Sequence, residues 1–183
     1  MATRYRFGDS YIPHFVTFAT VQWVDALSRP LYKDIVVDSL KYCIKEKGLK
    51  VHAWVIMSNH VHLIISSDHN RLEDIMRDMK KFTSRSLITA IKENPQESRK
   101  SWMLWIFESS GKQNSNNKTY QFWQQDNHPV ALTTGSMIEQ RLNYLHDNPV
   151  RAGLVNEQSH YLYSSAADYC MVQAGMLPIE HLN

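Results

Sequence analysis

The chain has 183 residues, 43% hydrophobic and 21% charged, which is enough apolar material for one ordinary folded domain and excludes a disordered chain. No apolar run reaches the roughly 18–20 residues of a membrane span, and Cys43 and Cys170 are too few for a disulfide framework, which predicts a cytoplasmic protein. The net charge of +2 is too small to indicate a nucleic-acid partner by itself.

The beginning of the chain predicts a strand followed by a helix. Residues Tyr11–Gln22 are rich in β-branched and aromatic side chains that alternate between two faces, which is typical of a strand. Residues Leu31–Lys47 place apolar side chains at helical spacing, and the following Gly48 is a residue type that commonly ends a helix.

The next part predicts a hairpin and a second helix. Two apolar strands, Lys50–Met57 and His60–Ser66, flank the polar pair Ser58 and Asn59, which favours an antiparallel hairpin with a short turn. Residues Arg71–Lys92 then have the apolar periodicity of an amphipathic helix. Its core-facing stripe is predicted to be Leu72, Ile75, Met76, Met79, Phe82 and Ser86.

Residues 95–120 resemble an insertion, to which the sequence assigns no task. Their large apolar side chains are expected to be buried, namely Trp102, Leu104, Trp105, Ile106 and Phe107. The polar stretch 111–119 is expected to be an exposed loop, and residues Tyr120–Asp126 are expected to form a strand.

A helix late in the chain is indicated by a capping box, in which Ser136 is followed three residues later by Glu139. The helix should end near Asp147, because Pro149 disfavours helical geometry at the residue before it. A short helix is also expected within Ser164–Met171. The order of elements favours the α+β class with a ferredoxin-like split βαβ arrangement: an antiparallel sheet, helices on one face, and a C-terminal helix that carries Tyr144.

Two histidines in the second strand of the hairpin are the first candidate functional residues. His60 and His62 alternate along the strand, so both imidazoles should lie on the same face of the sheet. Two neutral imidazoles side by side can bind one divalent metal ion. A pair of strand histidines with no ligand is the alternative interpretation, and the His-x-His pattern alone does not separate the two.

The late helix carries the second group of candidates. Arg141, Tyr144 and Asn148 fall on one stripe beside the apolar face, since they are spaced by three and four residues. A phenol such as that of Tyr144 can act as a nucleophile on a phosphodiester, although an amphipathic packing role is the alternative. Asn148, one turn later, could supply an amide oxygen as a third metal ligand, whereas His146 is expected on the surface.

Together these motifs resemble a known family. The segment His60-Val61-His62 preceded by Met-Ser-Asn, and the segment Tyr144–Val155, are similar to the single-tyrosine HUH transposases, and within them to the REP-associated tyrosine transposases. The similarity covers roughly residues 5–165 within one domain spanning 1–183, leaving a C-terminal extension at 156–183. Insertion-sequence relatives have a glutamine where this chain has Asn148.

The resemblance implies a function as well as a fold. His60 and His62 would bind Mg²⁺ or Mn²⁺, and Tyr144 would cleave and rejoin single-stranded DNA that carries a hairpin, through a 5′-phosphotyrosine intermediate. A monomer is mildly preferred over a homodimer. The residues expected to contact DNA phosphates are Lys80, Lys81, Arg85, Arg141 and Arg151. Two alternatives remain: a hairpin-binding protein without catalysis, and a metal-dependent phosphodiesterase that uses water as its nucleophile.

Overall fold

A four-stranded antiparallel sheet forms the centre of the protein, and it confirms the predicted α+β class. The computed structural model describes residues 7–69, 71–114 and 119–182. The strands are β1 (His14–Ala19), β2 (Leu49–Ile56), β3 (His60–Ser67) and β4 (Val130–Ala131), in the order β2-β3-β1-β4. The helices are α1 (Pro30–Lys47), α2 (Leu72–Glu93), α3 (Lys100–Lys112), α4 (Gly135–Arg151) and α5 (Ala166–Tyr169). Within the described ranges, no helix is long and apolar enough to cross a membrane.

The predicted hairpin is confirmed as β2 and β3, joined at Ser58 and Asn59. The turn is closed by the amide of Met57, which donates to the carbonyl of His60 at 2.8 Å. Strand β1 lies against the other side of β3, with Thr17 opposite His62. The histidine strand is therefore an inner strand of the sheet, held on both sides.

Helices cover both faces of the sheet. Because side chains alternate along a strand, Phe15 and Phe18 of β1 point to opposite faces. Lys80 of α2 lies over the ring of Phe18, with Nζ 5.8 Å from its centroid. Tyr144 of α4 lies next to Phe15, with ring centroids 6.1 Å apart. Helix α1 packs against α2, so α1 and α2 form one layer and α4 lies on the other side of the sheet.

The boundary between α1 and β2 follows the prediction. Gly48 has a left-handed backbone (φ 68°), and its amide donates to the carbonyl of Cys43. A Cβ at this position would lie 3.0 Å from Cδ2 of His69. Glycine is favoured here both by the backbone conformation and by the close approach of the histidine.

The strand predicted at Tyr120–Asp126 is wrong. In this stretch only Trp123 forms an isolated bridge, with Thr20, and the fourth strand is the later pair Val130–Ala131. The segment is instead held by its buried side chains, because the indole Nε1 of Trp123 donates to Oγ1 of Thr83 at 3.0 Å. Aromatic residues that pack beneath a helix resemble a strand in sequence because both are rich in large apolar side chains.

Three aromatic residues expected in the core are exposed instead. Phe82 lies off the stripe of α2 that is buried through Met79, Thr83 and Leu87. In α3 the predicted burial holds for Ile106 and Phe107, whereas Trp102 and Trp105 are exposed. The helical repeat explains this, because residues 103, 106 and 107 share one face and residues 102 and 105 share another. The loop predicted at 111–119 overlaps the end of α3, and residues 115–118 lie outside the described residues.

Both predicted ends of the late helix are displaced. The N-cap of α4 is Thr134 instead of Ser136, and its Oγ1 accepts from the amide of Met137. At the other end the helix continues through Pro149 to Arg151. Proline lacks only its own amide donor, and the bond from the amide of Ala152 to the carbonyl of Asn148 remains. Asn148 is consequently a helical residue, on the same rigid element as Tyr144.

Candidate active site

The two strand histidines lie side by side in the middle of the sheet. The ring centroids of His60 and His62 are 4.7 Å apart. His62 is only 4% exposed and His60 is half-buried. The pair therefore lies in a partly enclosed site, less open than the sequence suggested, because α4 covers the face to which the imidazoles point.

A neighbouring amide fixes the orientation of His60. Nδ1 of His60 donates to Oδ1 of Asn59 at 2.7 Å, and because an amide oxygen can only accept, the neutral ring keeps its lone pair on Nε2. Nδ2 of Asn59 in turn donates to the carbonyl of Trp23 at 3.2 Å. Burial lowers the pKa of His60, although a hydrogen bond with the Asn148 side chain opposes this effect.

His62 has one occupied and one unoccupied nitrogen. Its Nδ1 forms a 2.7 Å hydrogen bond with Oγ1 of Thr17, the residue directly opposite on β1. Its Nε2 is buried and has no hydrogen-bond partner in the described part of the chain. Burial, with smaller contributions from the charges of His60 and Arg141, lowers the pKa of His62 to about 3. The ring is therefore neutral at physiological pH, with Nε2 available to a ligand.

This donor set fits a divalent metal ion that completes its coordination with other groups. Two neutral imidazoles, of which His62 has an unpaired Nε2 within the described residues, are suitable ligands for a transition-metal ion. Within the described ranges, no cluster of three or more His, Cys, Asp or Glu side chains could hold a metal. A further protein donor is Asn148, whose side chain forms a hydrogen bond with His60. Its Nδ2 donates to the carbonyl of Tyr144 at 2.9 Å, which leaves Oδ1 as the atom able to bind a cation.

Helix α4 brings Tyr144 to the histidine pair within one chain. The ring centroids of Tyr144 and His62 are 5.4 Å apart, and Tyr144 remains 38% exposed. Two guanidinium groups lie nearby. That of Arg151 is 5.9 Å from the Tyr144 ring, and that of Arg141 is 5.0 Å from the ring of Phe15. A partly exposed phenol thus lies beside a neutral imidazole, with the guanidinium group of Arg151 near its ring and that of Arg141 over the neighbouring Phe15.

A third histidine on α4 anchors the helix. His146 is buried, contrary to the surface position expected from the sequence. Its Nε2 forms a 2.8 Å hydrogen bond with Oγ of Ser165, and the same hydroxyl oxygen accepts from the amide of Trp54 on β2. Burial lowers the pKa of His146 to about 4. The spacing of His146 from Leu142 and Pro149 is the signal that could have predicted its burial, because all three share a helical face.

The basic residues of α2 lie in a separate region. Lys81 and Arg85 line an open groove of about 980 Å³ between α2 and residues 119–127, on the face of the sheet opposite Tyr144. Lys80 also borders this groove, but its Nζ is within hydrogen-bond distance of the carbonyls of Gln124 and Gln125 and of Oδ1 of Asn127. The ammonium group of Lys80 therefore holds the 124–127 segment against α2, and its contact with DNA stays a prediction.

Sequence reasoning identified the side chains that face the site but missed those that support them. Asn59 and Thr17 each hold one imidazole, and Trp23 contacts the edge of His60 with ring centroids 5.9 Å apart. For Asn59 the available signal was its position directly before His60. No sequence signal connects Thr17 to His62, because their contact depends on the register between β1 and β3.

Comparisons with known proteins relate the chain to transposases. A family model described as "Transposase IS200 like" matches residues 13–121, a range that contains both site histidines and ends before Tyr144. The solved structure of a REP-associated tyrosine transposase bound to a REP hairpin matches with a TM-score of 0.63 at 15% identity, covering 100% of this chain and 92% of that chain. A presumed transposase from Deinococcus radiodurans R1 matches with a TM-score of 0.47 at 16% identity, covering 78% and 96% of the two chains. No curated protein matches the sequence.

The family assignment follows from the extent of the sequence match, and the fold supports it. The matched range is more than half of the chain. The four-stranded antiparallel sheet with its helices has the same overall fold as the REP-associated structure. This protein belongs to the IS200-like transposase family, a family of DNA transposases.

Proposed function

We propose that this transposase cleaves and rejoins single-stranded DNA carrying a hairpin, with Tyr144 as the nucleophile. The observation that carries the proposal is the position of the Tyr144 ring, 5.4 Å from His62, whose Nε2 has no partner in the described residues. A hairpin DNA substrate is supported by the similar structure, which is bound to a REP hairpin.

The chemistry assigned to Tyr144 is a reversible transfer of a phosphodiester. The phenol oxygen attacks the phosphorus, the phenol loses its proton, and the bond to the 3′-oxygen breaks with protonation of that oxygen. The products are a 5′-phosphotyrosine link and a free 3′-hydroxyl. Attack of a 3′-hydroxyl on this link reverses the step at a new junction. No nucleotide cofactor is required, because the phosphotyrosine bond conserves the energy of the broken bond.

The metal ion proposed for this site is Mg²⁺ or Mn²⁺, bound by Nε2 of His60 and His62. Asn148 is proposed as the third protein ligand, through Oδ1. The ion would supply Lewis-acid stabilisation of the charge that develops on the phosphate. Imidazole ligands favour Mn²⁺ over Mg²⁺, which prefers oxygen donors. With only two or three protein ligands, metal affinity in the absence of DNA should be weak.

Four basic residues are proposed to contact DNA from two directions. Arg141 and Arg151 flank Tyr144 and would bind phosphates of the strand being cut. Lys81 and Arg85 line the groove on the opposite face of the sheet and would bind a second part of the same DNA. Each phosphate contact should make affinity decrease with salt concentration.

A monomer is proposed as the active species. The tyrosine, the two histidines and Asn148 come together within one chain, so no second copy is needed to complete the site.

The test is retention of labelled DNA on the protein. The substrates are single-stranded hairpin oligonucleotides with randomised unpaired flanks, labelled at the 5′ or the 3′ end and incubated with Mn²⁺. A 5′-phosphotyrosine intermediate retains the 3′ label on the protein in a denaturing gel and releases the 5′ label.

Two tyrosine variants test whether Tyr144 is the residue that retains the label. Tyr144→Phe should abolish retention, whereas Tyr42→Phe, which changes another exposed tyrosine, should not. Cleavage without retention would show a hydrolase that uses water. Binding without cleavage would show a hairpin-binding protein, and either result would overturn the proposal.

A further inference from the structure

The loop that follows β1 has an unusual backbone. Gln22 and Trp23 are consecutive non-glycine residues in the left-handed region, with φ values of 53° and 56°. Side chains other than glycine rarely adopt this conformation because it costs free energy, and such residues tend to cluster at functional sites. This left-handed pair lies next to His60.

The loop is fixed to the turn between β2 and β3 by several hydrogen bonds. The amide of Thr20 donates to the carbonyl of Asn59 at 2.9 Å, and its hydroxyl donates to the carbonyl of Val24, beyond the left-handed pair, at 2.7 Å. The amide of Leu27 donates to the carbonyl of Ser58 at 2.7 Å. Nδ2 of Asn59 donates to the carbonyl of Trp23 itself. The left-handed pair is therefore held by the same turn that positions His60.

With this left-handed backbone, the indole of Trp23 is directed away from the core. Trp23 is 55% exposed, although its ring is in edge contact with His60 at a centroid distance of 5.9 Å. Trp54 and Trp123, by contrast, are buried in the core. Packing within the chain does not account for Trp23, since a tryptophan that served the core would be enclosed.

We infer that Trp23 is a stacking surface for one unpaired base of the DNA strand that reaches His60 and Tyr144. Base–aromatic stacking suits this position because every base has a flat π-face, so the contact does not depend on sequence. The contact would hold the strand on the side of His60, while Arg141 and Arg151 hold it on the side of Tyr144. This inference rests on the proposed function, because it places single-stranded DNA at the site.

The experiment compares two strands that have the same charge and differ in their bases. The strands are a dT20 oligonucleotide and an abasic oligonucleotide of equal length, and the protein carries Tyr144→Phe and is free of metal, so that no cleavage occurs. Adding Trp23→Ala should weaken dT20 binding by about 5- to 150-fold, the range of base–aromatic stacking. It should leave binding of the abasic strand unchanged.

The matched control is Trp105→Ala on α3, which removes an indole that is 66% exposed and should not change dT20 binding. A loss on both strands, or no loss on dT20, overturns the inference. Trp23→Phe keeps a ring and should retain most of the affinity, which separates stacking from unfolding.

A second measurement requires no variant. A strand of 5-iodouracil deoxynucleotides, irradiated with the unchanged protein, should yield a cross-linked peptide that contains Trp23. Absence of Trp23 from the cross-linked peptides would contradict stacking. Both experiments are independent of covalent catalysis, so failure of label retention by Tyr144 is distinguishable from failure of this inference.

Discussion

Two histidines of this protein are equally buried and differ in whether their Nε2 atom has a hydrogen-bond partner. His62 in the centre of the sheet and His146 on α4 are both 4% exposed. Burial lowers the pKa of both, to about 3 and about 4. Nε2 of His146 is paired with Ser165, whereas Nε2 of His62 has no partner in the described residues. Burial and a lowered pKa therefore do not identify the functional histidine, but the unpaired nitrogen does.

The same comparison extends to His52 on β2. Its Nδ1 is 2.8 Å from the carbonyl of Glu180, and its Nε2 is 2.8 Å from Oγ of Ser66, so both nitrogens are used. An unpaired buried polar atom costs about 1–3 kcal/mol. A protein that satisfies His52 and His146 but leaves Nε2 of His62 open is consistent with a ligand that binds there during function.

The largest expected effect is on DNA cleavage. His62→Ala should reduce cleavage of hairpin DNA by more than about 100-fold, because it removes a proposed metal ligand, and losing even an outer-shell partner costs 10–100-fold. Cleavage is measured as retention of the 3′ label, and stability by urea unfolding. The variant should remain folded.

The corresponding variant of His146 should affect stability instead of cleavage. His146→Ala should lower the unfolding free energy by about 1–3 kcal/mol, because it removes a buried ring together with its hydrogen bond to Ser165. The comparison is wrong if two results are found together. His62→Ala would have to lower the unfolding free energy at least as much as His146→Ala does, and the folded fraction of His62→Ala would have to cleave DNA normally. His62 would then be a core residue.

A smaller effect is expected from the residue that orients His60. Asn59→Ala removes the acceptor of the Nδ1 proton, so it should weaken Mn²⁺ binding by about 10–100-fold, which is typical when an outer-shell partner is lost. Isothermal titration calorimetry in the presence of a non-cleavable hairpin strand measures this. Asn94→Ala, which removes a hydrogen bond to Tyr32 away from the site, is the matched control. An unchanged Mn²⁺ affinity in Asn59→Ala would show that Asn59 does not support metal binding by His60.

The elements of the fold were predictable where local sequence determines them. The hairpin at Ser58 and Asn59 and the helix end at Gly48 each depend on a turn or a cap within a few residues. The short strand Val130–Ala131 was not predictable, because two residues carry no periodicity and their pairing with β1 is a tertiary contact. The same reason explains the wrong strand at Tyr120–Asp126, whose aromatic residues pack on α2 without extending the sheet.

The candidate site also has a part that local sequence predicts and a part that depends on tertiary packing. The common face of His60 and His62 follows from strand alternation, and the common face of Tyr144 and Asn148 follows from helical spacing. Only the packing of α4 against β2 and β3 brings the two faces together. The helix continued through Pro149 because a proline in its last turn removes one donor and leaves the neighbouring bonds intact.

The smallest expected effect concerns pH and His52. Burial holds the pKa of His52 below its ordinary value of 6.5, so the unfolded chain takes up a proton near pH 6.5 and the folded chain does so only at lower pH. The stability contributed by the neutral ring is complete above about pH 6.5 and decreases as the pH falls below it. His52→Gln should therefore make the dependence of unfolding free energy on pH shallower between pH 6.5 and 5.

One proton limits the difference in slope to about 1.4 kcal/mol per pH unit. The charged neighbours Lys50, Asp68 and Glu180 also act on the pKa of His52, with smaller effects than burial. His160→Gln, which changes an exposed histidine, is the control and should leave the slope nearly unchanged. Equal slopes in urea unfolding for His52→Gln and the unchanged protein would mean that His52 binds its proton equally in both states. Burial would then not keep the ring of His52 neutral, and the distinction between paired and unpaired histidines would lose one of its supports.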